Sequence, residues 1–222
     1  MPGLTVSTVL LILLAVDAAI NVAASANEEK NRKIIYATKP LLMPLLILYY
    51  VTGVASPNWL VVAALFFGFC GDVFLMLPGE KEKFFMGGLG SFLVNQVLYV
   101  VVFFMSIKSF GAISAWLYAL IILFAAYGAL MYSLVHAKLG SMKIPVIVYM
   151  LCILGMGVGA LLRAVDFSGP ACWLVLAGAV TFIASDSVLA FDKFRTRLAL
   201  GKPIVMATYI GAQAMIVQGL MI

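Results

Sequence analysis

The stretch LTVSTVLLILLAVDAAINVAA, Leu4 to Ala24, carries one carboxylate, Asp17, in 21 otherwise uncharged residues. A helix rises about 1.5 Å per residue, so a run of this length crosses the ~30 Å of bilayer hydrocarbon. It lacks the basic leading segment of a signal peptide and is expected to be the first of several membrane helices. Seven further apolar runs follow, at about 39–53, 58–77, 84–106, 112–134, 144–163, 170–191 and 203–221. The fold class expected is therefore all-α: one transmembrane domain, residues 1–222, built as a bundle of eight helices.

Composition agrees with the pattern. Of 222 residues, 65% are hydrophobic and 10% charged. A soluble domain of this size has too thin a polar shell to cover so much apolar surface. The net charge of +5 is confined to short connections, which suits anionic lipid headgroups and argues against nucleic acid as a partner. Cys70, Cys152 and Cys172 are dispersed through apolar runs, a pattern that suits neither a disulfide framework nor a zinc site.

Lys and Arg set the orientation, because basic residues concentrate in cytoplasmic loops. The odd connections hold every Lys and Arg except Lys108 and Arg163. The odd connections are thus expected in the cytoplasm and both termini on the other side. Trp59, Trp116 and Trp173 then lie near the non-cytoplasmic boundary as interfacial anchors. A weak internal echo separates Lys39-Pro40 from Lys143-Ile144-Pro145, Asp72 from Asp186, and Gln96 from Gln213 by about half the chain. It suggests a parallel four-plus-four duplication.

A charged side chain in hydrocarbon costs at least about 2.5 kcal/mol on insertion scales, so intramembrane carboxylates call for a reason. Asp17, Asp72 and Asp186 are the candidates, with Lys39 and Asp192 at helix ends and Asn21, Asn95, Gln96, Ser187 and Gln213 as uncharged companions. In the expected topology the three carboxylates sit roughly 8–10 Å beneath the cytoplasmic boundary. A polar cavity open to that side is expected. Plainer roles exist for several of them. Asp17 and Asn21 share a helix face and suit a helix–helix hydrogen bond. Gly68 and Gly71 beside Asp72 suit close packing. Lys39 suits snorkelling to the interface, and Asp192-Lys193 a solvated helix end.

Other chemistries lack their residues. His136 is the single histidine and lies in a basic connection, so multi-histidine zinc sites have no ligands and a serine triad has one histidine to draw on. No G-x-S-x-G elbow, P-loop or dinucleotide fingerprint occurs. Neither a metal nor a cofactor is expected. Carboxylate chemistry and carboxylate-coupled transport remain, with a non-catalytic lipid-binding protein as a third reading. For transport, Pro44 and the Gly155-Met156-Gly157-Val158-Gly159 run are candidate mid-membrane helix breaks.

Lys39-Pro40-Leu41-Leu42, Gly71-Asp72 with Leu75, Asn95-Gln96-Val97-Leu98-Tyr99, Ser185-Asp186-Ser187-Val188-Leu189-Ala190, and Tyr209 with Gln213 together resemble the YhhN-like lysoplasmalogenase family. The resemblance runs in order over nearly the whole chain. It implies hydrolysis of the vinyl-ether bond of a lysophospholipid substrate, giving a fatty aldehyde and a glycerophospho-base. It places Asp72 and Asp186 at the catalytic centre. Lys39 would then hold the substrate phosphate. Asn95, Gln96, Tyr99, Ser187, Tyr209 and Gln213 would orient water and glycerol oxygens, with Asp17 and Asn21 in support. Many relatives carry histidine where this chain has Gln96; a glutamine does not shuttle protons, so a proton-transfer role there does not carry over. The expected location is the endoplasmic reticulum membrane in a eukaryote or the cytoplasmic membrane in a bacterium.

Overall fold

The structure, a computed structural model, describes residues 5–77, 81–108, 115–167 and 169–222. Among them are eight membrane-length helices: α1 (Val6–Ser25), α2 (Glu28–Gly53), α3 (Trp59–Met76), α4 (Lys81–Ser106), α5 (Ala115–Val135), α6 (Lys143–Phe167), α7 (Pro170–Phe194) and α8 (Gly201–Met221). All eight are long and apolar enough to cross a bilayer. The chain is a multi-pass integral membrane protein. The start of the expected fifth helix, near 112, lies outside the described residues, as does the Trp116 side chain.

The largest departure from the sequence reading is α2. It begins eleven residues before Lys39 and absorbs nearly all of the first connection. Glu, Lys and Arg are good helix formers, and the Asn27 side chain caps the new start by accepting from the Lys30 N–H. A local irregularity remains at Asn31 (φ −104°, ψ 17°). Lys39 therefore does not open a helix. It sits within α2, whereas Lys143 does open α6, so these two residues do not occupy equivalent helical positions.

The core lies where α2, α3, α4, α6, α7 and α8 meet, around Leu42, Leu46, Leu65, Tyr99, Phe103, Met156, Phe182 and Ile216. α1 and α5 are mostly exposed; α1 turns Val9, Ile12, Val16 and Ile20 outward. Facing lipid, such side chains need no protein cover. The breaks that transport would use are not formed: α6 is continuous through Gly155–Gly159, and α2 is continuous through Pro44.

The odd connections are tied together on one face of the bundle. Tyr36, in α2, donates to the Met76 carbonyl at the end of α3 (2.6 Å). The Ser141 hydroxyl donates to Glu82 (2.7 Å). Lys138 donates to the Arg195 carbonyl and Arg195 to the Leu134 carbonyl, both at 2.9 Å. Lys202 pairs with Glu28. Tyr36, Lys138 and Arg195 thereby occupy carbonyls at helix ends, where the last turn lacks partners within its own helix. On the opposite face, the Lys108 N–H donates to Asp166 (2.8 Å), while Trp59 and Trp173 are exposed near the starts of α3 and α7.

Candidate active site

Asp72 lies in the last turns of α3 and is 2% exposed. Its Oδ1 is 3.5 Å from the Lys39 ammonium, and its Oδ2 accepts from the Tyr209 hydroxyl at 3.0 Å. Three helices thus meet at one carboxylate: α2 brings the cation, α3 the acid and α8 the hydroxyl. The Tyr209 ring is wedged edge-on between Phe92 (5.6 Å) and Phe182 (5.5 Å), which fixes the direction of its O–H. Lys39 had been expected to be free for a phosphate. Here it is the counter-ion of Asp72, because the lengthened α2 carries it into the bundle alongside α3.

Gly68, one turn before Asp72, makes room for a second tier. A Cβ on Gly68 would stand 3.2 Å from the Tyr209 hydroxyl, 3.4 Å from Gln213 Nε2 and 3.6 Å from Asn95 Nδ2. The missing methyl lets polar groups from α4 and α8 close on α3. Asn95 donates through Nδ2 to the Ala64 carbonyl (2.6 Å), and Gln213 accepts through Oε1 from the Tyr99 hydroxyl (2.6 Å). All of these groups are buried, and each bond is made where water cannot substitute for it.

Asp186 is held differently. Its Oδ2 accepts from the Tyr149 hydroxyl of α6. Among the described residues it has no cation partner and no hydrogen bond to Asp72. Asp72 lies four residues from the end of α3 and Asp186 eight from the end of α7, so they also differ in distance from their helix ends. Gln96, on the α4 turn next to Asn95, faces the Tyr149 hydroxyl. It is fully buried, and neither its Nε2 nor its Oε1 completes a hydrogen bond.

The remaining expected residues make other contacts. Ser187 turns to α5, accepting from Tyr127 (2.7 Å) while donating to the Ile183 carbonyl. Its neighbour Ser185 is the buried one and donates to the Val205 carbonyl of α8 (3.0 Å). Asn21 donates to Thr38 of α2 (2.7 Å), and Asp17 has a buried Oδ2 with no hydrogen-bond partner. Asp192 accepts from the Leu198 N–H (2.6 Å) and shapes the turn before α8.

Tyr149 was not singled out from the sequence. A tyrosine inside an apolar run of α6 looks like any core aromatic until α7 is packed against it. Its spacing from Lys143 was visible, but nothing in one sequence says which side of α6 meets Asp186.

A model of the YhhN family matches residues 34–220. The chain belongs to the YhhN family. Those 187 residues contain Lys39, both tyrosine-bonded carboxylates, the two tyrosines that bond them, and Gln96, so the whole site lies inside the YhhN region. Among curated proteins, the lysoplasmalogenase TMEM86B of Mus musculus is 30% identical over 179 residues, 81% of this chain and 71% of that protein. Those of Rattus norvegicus and Homo sapiens are each 32% identical over 178 residues, covering 80% and 78% of this chain and 68% and 70% of theirs. No solved structure matches.

The ion pair in this YhhN protein has a testable energetic signature. Lys39→Met strands a carboxylate that is 2% exposed. Removing one partner of a buried pair costs about 3–5 kcal/mol. Thermal unfolding in detergent should show a large drop for Lys39→Met and recovery in Lys39→Met/Asp72→Asn, which removes both charges. A single variant as stable as the parent would mean that the pair carries no such energy.

Proposed function

We propose that this protein hydrolyses the vinyl-ether bond of lysoplasmalogen within the membrane, releasing a fatty aldehyde and a glycerophospho-base. Its YhhN membership and TMEM86B relatives support the reaction class. The observation that carries the assignment of the site is the pair of tyrosine-bonded carboxylates, Asp72 and Asp186, one with a cation and one without.

The two environments suit two roles. Asp186, without a cation, is the general acid and delivers a proton to the vinyl carbon. That step leaves an oxocarbenium ion at the ether carbon, the kind of cation that paired carboxylates stabilise in glycosidases. Asp72, held by Lys39 and Tyr209, is the carboxylate that stabilises the cation and accepts a proton from the attacking water. The hemiacetal then collapses: Asp72 returns its proton to the departing glycerol oxygen while Asp186 recovers one from the hemiacetal hydroxyl. Both acids end as they began. Gln96, Gln213, Asn95 and Tyr99, on α4 and α8, orient the glycerol oxygens and the water. The alkenyl chain lies among the apolar side chains of the bundle.

In this reading the odd connections face the cytoplasm, so the site is reached from the cytoplasmic half of the bilayer. The host membrane is the endoplasmic reticulum in a eukaryote or the cytoplasmic membrane in a bacterium. The test is aldehyde release from lysoplasmalogen by the pure protein in detergent, with equimolar glycerophospho-base. Absence of both products sinks the proposal.

Tyr149→Phe separates orientation from substrate contact. It removes the hydroxyl that bonds Asp186 and keeps the ring. A hydrogen bond to a charged group is worth about 1.5–3 kcal/mol, so kcat should fall by about 10- to 100-fold with KM little changed. A raised KM at unchanged kcat would instead place the hydroxyl on the substrate.

A further inference from the structure

Gln96 differs from the other buried amides. Asn21, Asn95 and Gln213 each leave one amide atom without a partner and bond through the other, to Thr38, the Ala64 carbonyl and Tyr99 respectively. Each of these is anchored and ties two helices together. Gln96 is 0% exposed with both Nε2 and Oε1 unpartnered. An unpaired buried amide costs about 1–3 kcal/mol on mutational scales. Such a group calls for a specific explanation. Its position supplies one, because it faces the hydroxyl of Tyr149, which in turn bonds Asp186.

A carboxamide offers one donor side and one acceptor side. Its natural complement is a group that both accepts and donates, and a hydroxyl does both. A lysoplasmalogen carries a free hydroxyl at glycerol carbon 2, next to the carbon that bears the vinyl ether. The intact two-chain lipid has an ester oxygen there, which accepts but cannot donate. We propose that Gln96 is the specificity-determining residue of the site and selects a lysolipid by hydrogen-bonding the free 2-hydroxyl beside the Asp186 acid. This rests on the vinyl-ether hydrolase reading given above. Discrimination of this kind is strong, since the two-chain lipid can accept from the Gln96 N–H but leaves its Oε1 buried and unpaired in the complex, while an apolar pocket separates close analogues poorly.

The test uses the full-length protein in detergent and two synthetic lipids, 1-alkenyl-glycerophosphocholine and its 2-deoxy analogue, which differ only in that hydroxyl. The parent protein should favour the 2-hydroxy lipid in kcat/KM by at least about 100-fold. Gln96→Met keeps the length and apolar volume but neither amide group, and should bring the two lipids within about threefold, a near-complete loss of that preference. Gln96→Asn, which withdraws the amide by one methylene, should give an intermediate ratio and serves in place of the Met variant if that fails to fold. A parent protein that cleaves the two lipids equally well overturns the proposal while leaving the hydrolase reading intact. So does a Gln96→Met variant whose two rates fall by the same factor, since a packing defect does not distinguish the substrates. A parent protein that releases aldehyde from neither lipid overturns the hydrolase reading itself, and this proposal with it.

Discussion

Asp72→Asn and Asp186→Asn should each cut aldehyde release by about 10²–10⁴-fold, the range that a positioned acid or base contributes. Asparagine keeps the shape of the side chain and an oxygen that still accepts from Tyr209 or Tyr149, so the loss belongs to the proton and the charge. The two variants should part company in stability. Asp72→Asn leaves the Lys39 ammonium without its carboxylate, in a side chain only 12% exposed, and should lower the melting temperature. Asp186→Asn strands no cation and should melt close to the parent. Coupled aldehyde detection together with thermal unfolding reads both properties on the same preparation. Full activity in either variant would remove that residue from the mechanism. Equal melting temperatures would remove the ion pair from the account of why the two acids differ.

Gly178 should tolerate no added side chain without loss of stability. A Cβ there would lie 2.8 Å from Ile216 Cγ1 and 2.9 Å from both the Ala212 carbonyl and the Ile216 amide nitrogen. Two of those three atoms are backbone, which does not rotate away. Gly219 approaches α7 in the same manner: a Cβ there would lie 2.5 Å from the Ala171 carbonyl. α7 and α8 therefore pack backbone to backbone, the contact that small residues permit in membranes, where apolar burial supplies no drive between helices. Gly178→Ala should lose about 1–3 kcal/mol of stability, and Gly178→Leu should fail to yield monodisperse protein. The effect reaches the site, since α7 carries Asp186 and α8 carries Tyr209 and Gln213. Aldehyde release by Gly178→Ala should fall by more than its folded fraction accounts for. A parent-like melting temperature for Gly178→Ala would show that the helices separate at little cost.

Much of this was readable along the chain. Eight spans follow from eight apolar runs, because a helix that satisfies its own backbone is the only structure such runs form in lipid. The odd connections carry the basic residues, and in the structure those connections are tied to each other on one face. Asp72 and Asp186 stood out because carboxylates are expensive in hydrocarbon. The start of α2 was misplaced because its first six residues, Glu28 to Lys33, are all polar. Hydropathy responds to polarity, whereas the helix continues on propensity and the Asn27 cap.

The sequence by itself determined the class of fold, the number of spans and the short roll of polar residues too costly to be idle. Those are one-dimensional properties, set by transfer free energies summed along a single helix. The tertiary structure alone decided which of those residues meet. Residues two apart on a helix point about 200° apart, so Ser185 is buried against α8 while Ser187 serves α5. Lys39 became the partner of Asp72, Tyr149 that of Asp186, and Gln96 was left with both amide atoms unpaired. Each outcome depends on how helices distant in sequence rotate and close against one another, and packing of that kind leaves no periodic mark in any one of them.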